Sequence, residues 1–507
     1  MAPWPNSRER LNRRYIAQES SGSKVDTNSK SRAAKNIVVT GIAQAWRFVT
    51  GFLLTVVTTR LLKPSDFGIL AMVATTTALI SLVKDLGISQ AIIQRSTTSP
   101  SQLNSLFWVS ILASAGFAVA LGASAPLLAS FFDEPRVELV TVAFALLVLI
   151  SGPQAVPTAI LNRDSHFNLL AVVDIVSATI TFGIGVTWAL LWQSYWALYA
   201  SAAAGTIASA AGVWLSARYR PGLPHFDSST MQMLRFGWHV SGFNLVNYLS
   251  RNADKILIGR FLGSDQLGLY DRAYRLLLFP IGQLNGPIGQ VLVPLMSRIR
   301  SDATRYRSTY AEAVSLIMLT AQPGILCAVI CAPQLLELLF GEQWMPAAPI
   351  FQWLGIAGLH QVMSSTTGWL FLSQGRGADL FRLGTYSAIM TVASFVIGLP
   401  WGAVGVAASY TIANYIALVP LIWIAAGRRG PVSCKDLINL AIPHVLATLG
   451  AAAVLETIRF TVAAITPLQM VALFGVSYLV YLCVILLFGT KRELLWRGLR
   501  MLRPKPS

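Results

Sequence analysis

The sequence predicts an all-α polytopic membrane protein of about 14 transmembrane helices. Two parallel six-helix repeats, segments 1–6 and 7–12, surround a central cavity, and two more helices are appended. Three observations predict this. Of 507 residues, 54% are hydrophobic and only 12% charged, about half the charged fraction of a soluble protein. Apolar runs of about 20 residues recur along most of the chain, each long enough to cross a bilayer core of ~30 Å as a helix. A motif also returns: Arg60-Leu-Leu-Lys-Pro-Ser-Asp-Phe-Gly68 reappears as Arg260-Phe-Leu-Gly-Ser-Asp-Gln-Leu-Gly268. Arg60 and Arg260, Leu62 and Leu262, and Gly68 and Gly268 match at a constant offset of 200 residues.

Residues 1–36 carry eight Lys/Arg among Ser, Asn and Gln. That composition predicts a disordered, basic cytoplasmic tail, without the apolar core of a secretory signal peptide. Apolar segments follow near 37–62, 68–90, 104–131, 137–160, 168–191, 195–217, 236–259, 268–296, 309–332, 347–373, 380–399, 402–425, 438–460 and 467–489. They group into a lobe at 37–217, a second lobe at 236–425 and two additional helices at 438–489. A basic cytoplasmic tail, 490–507, alternates Leu with Arg at helical spacing, which suits an anionic inner leaflet.

The net charge of +17 tests this layout. With a cytoplasmic N-terminus, 28 of the 39 Lys/Arg fall in the two tails and the even-numbered turns. Five fall on the opposite side, and six lie inside segments. So strong a bias over short loops is a positive-inside signal. It places both termini in the cytoplasm and explains the charge without nucleic acid. Shorter echoes extend the repeat. Phe131-Phe-Asp-Glu134 resembles Leu339-Phe-Gly-Glu342, and Tyr195-Trp-Ala resembles Pro400-Trp-Gly-Ala. Each repeat has an even number of crossings, so both enter from the same side, an arrangement that puts the substrate path between halves.

The site should lie where charge enters the membrane, because such side chains face a bundle interior or a wet cavity. On segment 7, Asn244, Asn247, Arg251, Asp254 and Lys255 share one helical face, and on segment 1 so do Gln44, Arg47, Gly51, Thr55 and Thr58. Segment 2 adds Lys84. Arg47, Arg251, Lys255, Lys84, Gln44 and Asn247 are the expected substrate contacts, with Arg47 and Arg251 facing each other. Arg47 has no nearby acidic residue in sequence. Arg suits phosphate because its planar fork binds in bidentate fashion. Asp254 could instead pair with Lys255 or Arg251, and Arg272 and Arg275 read equally well as snorkelling side chains. Asp174, alone in segment 5, and Asp254 are candidates for ion coupling. No metal site or cofactor is expected: Cys327 and Cys331 lie one turn apart without a nearby His, and there is no Walker A motif.

Several stretches resemble the polysaccharide transporter family. They are Arg60 to Met72, Asp85 to Arg95, Arg235-Phe-Gly237, Asn247 to Asp254, Ile258-Gly-Arg-Phe-Leu-Gly263, Leu267 to Leu276 and Leu399 to Val406. That family comprises lipopolysaccharide and exopolysaccharide flippases. It belongs to the exporter superfamily that also holds the multidrug extruders and the lipid II flippase. The resemblance covers roughly residues 37–425. It implies that an undecaprenyl-pyrophosphate-linked oligosaccharide is flipped across the bacterial inner membrane, in the company of a polysaccharide polymerase and export machinery. Two other classes are weighed against it. An ion-coupled drug antiporter of the same superfamily would favour acidic and aromatic cavity residues over Arg47 and Arg251. A polytopic polymerase or glycosyltransferase would need a large outer loop, and every internal loop here is short.

Overall fold

The computed structural model describes residues 27–84, 92, 99–225, 228–461 and 466–488. Among them the chain is helical throughout, with no strand. The helices are α1 (Thr27–Leu61), α2 (Pro64–Lys84), α3 (Pro100–Phe132), α4 (Arg136–Ser151), α5 (Ala155–Arg163), α6 (Phe167–Trp192), α7 (Trp196–Ala217) and α8 (Ser228–Arg298). They continue with α9 (Ala303–Ile330), α10 (Ala332–Phe340), α11 (Ala348–Ser364), α12 (Thr367–Ser373), α13 (Gly377–Gly398), α14 (Gly402–Ala413), α15 (Val419–Gly427), α16 (Cys434–Thr461) and α17 (Pro467–Leu487). Residues 1–26 of the predicted N-terminal tail, the whole C-terminal tail with its amphipathic stretch and most of the Asp85–Arg95 motif lie outside the described residues.

Eight of the described helical stretches are long and apolar enough to cross a membrane, or nine if α4 and α5, bent by 45°, form one span. The chain is a multi-pass membrane protein. Its outward-facing side chains are those of a body solvated by lipid, as with Leu190, Leu191 and Trp192 on α6. Between the predicted segments 380–399 and 402–425 the chain turns at Gly402, whose φ of 72° favours glycine, and α13 then packs along α14. One segment is more broken than periodicity predicts. The 347–373 segment divides into α11 and α12.

α1 already includes residues 27–36, ahead of the predicted start at 37. The polar stretch 27–36 therefore belongs to a helix. Its Lys, Arg and Ala are good helix formers, and extending an existing helix avoids the cost of nucleation. Caps set other boundaries. Ser99 and Gln102 form a reciprocal capping box on α3, Thr466 and Gln469 form another on α17, and Asp302 caps α9.

One long-range contact positions everything near the site. α8 is broken at Gly263 (φ 81°, ψ −179°), giving arms 228–262 and 264–298. The start of the second arm meets the start of α2 backbone to backbone. A Cβ on Gly68 would collide with the Ser264 carbonyl, and a Cβ on Gly268 would collide with the Pro64 carbonyl. The contact is reciprocal, and α2 against α8 is the most extensive pairing among the described elements. Further links close the same end. Ser264 Oγ donates to Glu134 Oε2 at 3.2 Å. Arg136 grips Glu134 through two bonds of 2.8 Å, which hold the Glu134 carboxyl below its usual range. Gln343 Nε2 and Trp344 Nε1 each donate to the Thr59 carbonyl at 2.8 Å. Arg60 donates to the carbonyls of Leu338 and Leu339.

The close approach is testable. Gly68→Ala or Gly268→Ala should lower the midpoint of thermal unfolding in detergent, at about 1–3 kcal/mol for overpacking. Gly116→Ala, where a Cβ meets nothing within 4 Å, should be neutral or slightly stabilising. Equal midpoints for all three variants would rule the contact out as a constraint.

Candidate substrate cavity

The second arm of α8 carries an unusual charge arrangement two turns past its start. Asp271 is fully buried. Three cations converge on it: Lys255 Nζ at 2.9 Å from the first arm, Arg275 Nε at 2.7 Å one turn on, and Arg272 Nη2 at 3.6 Å. One carboxylate faces three cations, so the cluster keeps a positive excess. Arg272 also lies over the ring of Phe67 on α2, 4.3 Å from its centroid, a geometry that favours a cation on an aromatic face. The Gly68 contact places Phe67 for this role.

Asp254 stands apart from that cluster. It accepts a hydrogen bond from the Tyr270 hydroxyl at 3.0 Å and another from the Lys255 backbone N–H at 2.8 Å. Of the two alternative partners for Asp254, the Lys255 ammonium reaches Asp271 instead. Asp254 is 2% exposed.

Arg275 is the member of the cluster turned outward, with 54% of its side chain exposed. It faces a cavity of about 280 Å³ lined also by Arg47, Phe48, Thr55, Arg272 and Phe340. Arg47 comes from α1, so helices far apart in sequence bring three guanidinium groups to one volume. Arg272 and Arg275, readable in the sequence as snorkelling residues, belong to this lining. The sequence signal for them was Asp271, a carboxylate beside one Arg and one helical turn from the other.

On its other flank Arg47 meets Asp174 of α6 at 3.8 Å, with 61% and 46% of the two side chains exposed. So loose and open a pair contributes little to stability. The absence of an acidic neighbour in sequence is made good by a partner on another helix. α1 and α6 are also tied by Trp46 Nε1 donating to Thr179 Oγ1 at 2.9 Å. Gln44 is exposed on the same helix. The side chains of Lys84, Asn247 and Arg251 lie outside the described residues, as does the proposed meeting of Arg251 with Arg47. No group of three or more potential metal ligands occurs among the described residues.

A family model for polysaccharide biosynthesis proteins matches residues 57–349. The lipopolysaccharide biosynthesis protein WzxC of Escherichia coli K12 is 25% identical over 402 residues, covering 78% of this chain and 79% of that protein. The succinoglycan biosynthesis transport protein ExoT of Rhizobium meliloti is 23% identical over 481 residues, covering 94% and 97%. Among solved structures, the lipid II flippase MurJ in an inward closed conformation has a TM-score of 0.70 at 14% identity, covering 90% of this chain and all of that one. An inward-facing multidrug transporter of the MATE family has a TM-score of 0.57 at 14% identity, covering 78% and 96%. The fold is therefore of the MurJ and MATE kind.

Asp271→Asn should destabilise the protein strongly. It leaves three cations around a neutral amide, and breaking a buried charge cluster by removing one partner costs about 3–5 kcal/mol. Arg47→Ala should leave stability nearly unchanged. Thermal unfolding in detergent compares the two. An Asp271→Asn midpoint equal to that of the parent would show that the cluster does not hold α8 together.

Proposed function

The chain belongs to the family of polysaccharide biosynthesis proteins, and from that premise we propose that it is a flippase. It moves an undecaprenyl-pyrophosphate-linked oligosaccharide across the bacterial inner membrane, for lipopolysaccharide or exopolysaccharide biosynthesis, by alternating access of two lobes. It is a transporter and not an enzyme. The observation that carries this reading is the arginine-lined cavity. Arg47 and Arg275, both half-exposed, hold the pyrophosphate, and Arg272 sets the field behind them. Charge-assisted bonds from a planar fork are the strong form of phosphate recognition. Lys255 acts through Asp271, fixing the carboxylate on which both arginines lean. Gln44, Asn247, Arg251 and Lys84 enter as further contacts on sequence spacing.

Arg47 borders the cavity and also touches Asp174, so pyrophosphate and Asp174 compete for it. Substrate binding would free Asp174 to take up a cation or proton, which makes it the candidate for ion coupling. Asp254, buried and hydrogen-bonded, positions the first arm of α8.

The lobes are taken as 37–217 and 236–425 within a 14-segment topology with both termini cytoplasmic. The reciprocal contact at Gly68 and Gly268 supports a two-fold relation between them. So do the matching ends of α3 and α10, where Phe132 and Phe340 are each followed by a residue of positive φ, Asp133 and Gly341. The helices after 434 and the basic tails flank this core. Polymerase and export machinery are the expected partners in the membrane.

Export in a strain lacking its own flippase tests the site. Arg47→Ala and Arg275→Ala should each cut export at least tenfold with the protein still in the membrane, and the Lys variants should retain part of it. Full export by the Arg47→Ala/Arg275→Ala double variant would sink the reading. A reporter active only in the cytoplasm checks topology. It should be active when fused after Arg307 or Arg429 and silent near Lys63 or Glu342; the reverse pattern would overturn the orientation.

A further inference from the structure

A second cavity, of about 520 Å³, opens between α1, α6 and α7. Its size falls in the ~300–1,000 Å³ range of small-ligand sites. Its wall is polar, although it lies within an apolar helical bundle. Thr50, Ser177, Thr181, Thr206 and Ser209 supply hydroxyls, and Gln154 adds an amide from the break between α4 and α5.

Four of those hydroxyls have already donated their protons to carbonyls of their own helices: Thr50 to Trp46, Ser177 to Val173, Thr181 to Ser177 and Thr206 to Ala202. A hydroxyl committed in this way keeps only lone pairs for whatever enters. The Ser209 hydroxyl and the Gln154 amide make no hydrogen bond among the described residues. Ser and Thr in membrane helices ordinarily glue one helix to the next, and Thr181 does seat on Gly205 of α7. The floor of the cavity is different. At Gly51 a Cβ would meet nothing within 4 Å.

Apart from the Arg47 guanidinium, which it shares with the arginine cavity, the wall thus offers mainly acceptors, with donors from Ser209 and Gln154 and the aromatic ring of Phe182. A saccharide is complementary to that set, because it presents closely spaced hydroxyl donors and an apolar C–H face. A free cation is served less well, since Arg47 accompanies Asp174, the carboxylate lining this cavity. Arg47 and Gly51 line both this cavity and the arginine cavity. A phosphate held by Arg47 therefore has its attached sugar at the mouth of the hydroxyl-lined volume. We infer that this cavity is a subsite for the sugar nearest the pyrophosphate. The inference rests on the pyrophosphate reading proposed above.

Binding to the purified full-length protein separates the two ideas. One probe is the lipid-linked oligosaccharide isolated from the cells that carry the protein; the other is undecaprenyl pyrophosphate without sugar. Ser209→Leu and Thr206→Leu fill the cavity. Each should weaken the glycosylated probe at least tenfold and leave the sugar-free probe within twofold. Retained affinity for the sugar-free probe also shows that the variants are folded. The smaller change Ser209→Ala should give a lesser loss in the same direction. Arg275→Ala should weaken both probes. Equal losses for both probes in the cavity-filling variants, or no loss for either, would overturn the subsite. An Arg275→Ala variant that binds both probes normally would instead overturn the pyrophosphate reading.

Discussion

The backbone contact between the starts of α2 and the second arm of α8 is the constraint on which the rest of the structure depends. Two helices can approach this closely only where neither has a side chain. Gly68 lies against the Ser264 carbonyl and Gly268 against the Pro64 carbonyl. The break at Gly263 is what lets the second arm begin at that point. Once the two helix starts are locked, Phe67 has one place to go. It lies beneath Arg272 and edge-on to Trp344, with ring centroids 5.4 Å apart. Trp344 in turn covers the end of α1 by donating to the Thr59 carbonyl, satisfying an acceptor that the last turn of a helix leaves open. The contact therefore seals one end of the molecule and aims the arginines below it.

Charge then follows from geometry. A buried carboxylate is costly unless paired, and Asp271 is paired three times over. Among the described residues the surplus positive charge has no further carboxylate, since Asp254 is engaged with Tyr270 and the Lys255 backbone. It is carried to the cavity surface by Arg275, the most exposed of the three cations. Arg47 approaches from the opposite wall with a partner it holds loosely. In the proposed reading, an anion entering between them would displace little and gain two guanidinium groups, the arrangement a reversible carrier needs. A tightly paired site would bind too weakly to capture its cargo, and a fully unpaired one could not be kept in a membrane.

Much of this was legible in the sequence, and the omissions have physical causes. The offset of 200 residues picked out Gly68 and Gly268, because a position that tolerates only glycine leaves a mark in the chain. Arg47 stood out because a cation within an apolar segment has few explanations. Pairing was harder to read. The sequence reads Lys255 as a substrate contact or as one of two alternative partners for Asp254, but adjacent residues on a helix point in different directions, and the ammonium reaches Asp271 on the other arm of α8. Asp174 and Arg47 sit far apart in sequence, so their approach depends on how α1 packs on α6, which no local pattern encodes. Arg272 and Arg275 were ambiguous because a residue near a segment's end can point either to the interface or inward. Asp271, buried by the α2 contact, decides for the interior. Broken segments such as 347–373 were missed because hydropathy reports apolarity and not the direction of the axis.

The same geometry suggests how the sealed end can open within the proposed transport cycle. The links that close it include hydrogen bonds from Arg60, Gln343 and Trp344 to carbonyls, and the bond from Ser264 to Glu134. Each such bond contributes only about 0.5–1.5 kcal/mol net, so a handful of them adds a few kcal/mol to the difference between closed and open states. That is small enough for differential binding of substrate to overcome, because a ligand shifts a two-state equilibrium only by its difference in affinity for the two states. The Gly68–Gly268 crossing has no side chains to repack. In that cycle the locked crossing would serve as the pivot while the carbonyl caps exchange. The Asp271 cluster is held within α8, and its arginines would move with that helix as a unit. The motion would change which face of the cavity is open while leaving the two arginines of the second arm in fixed relation to each other.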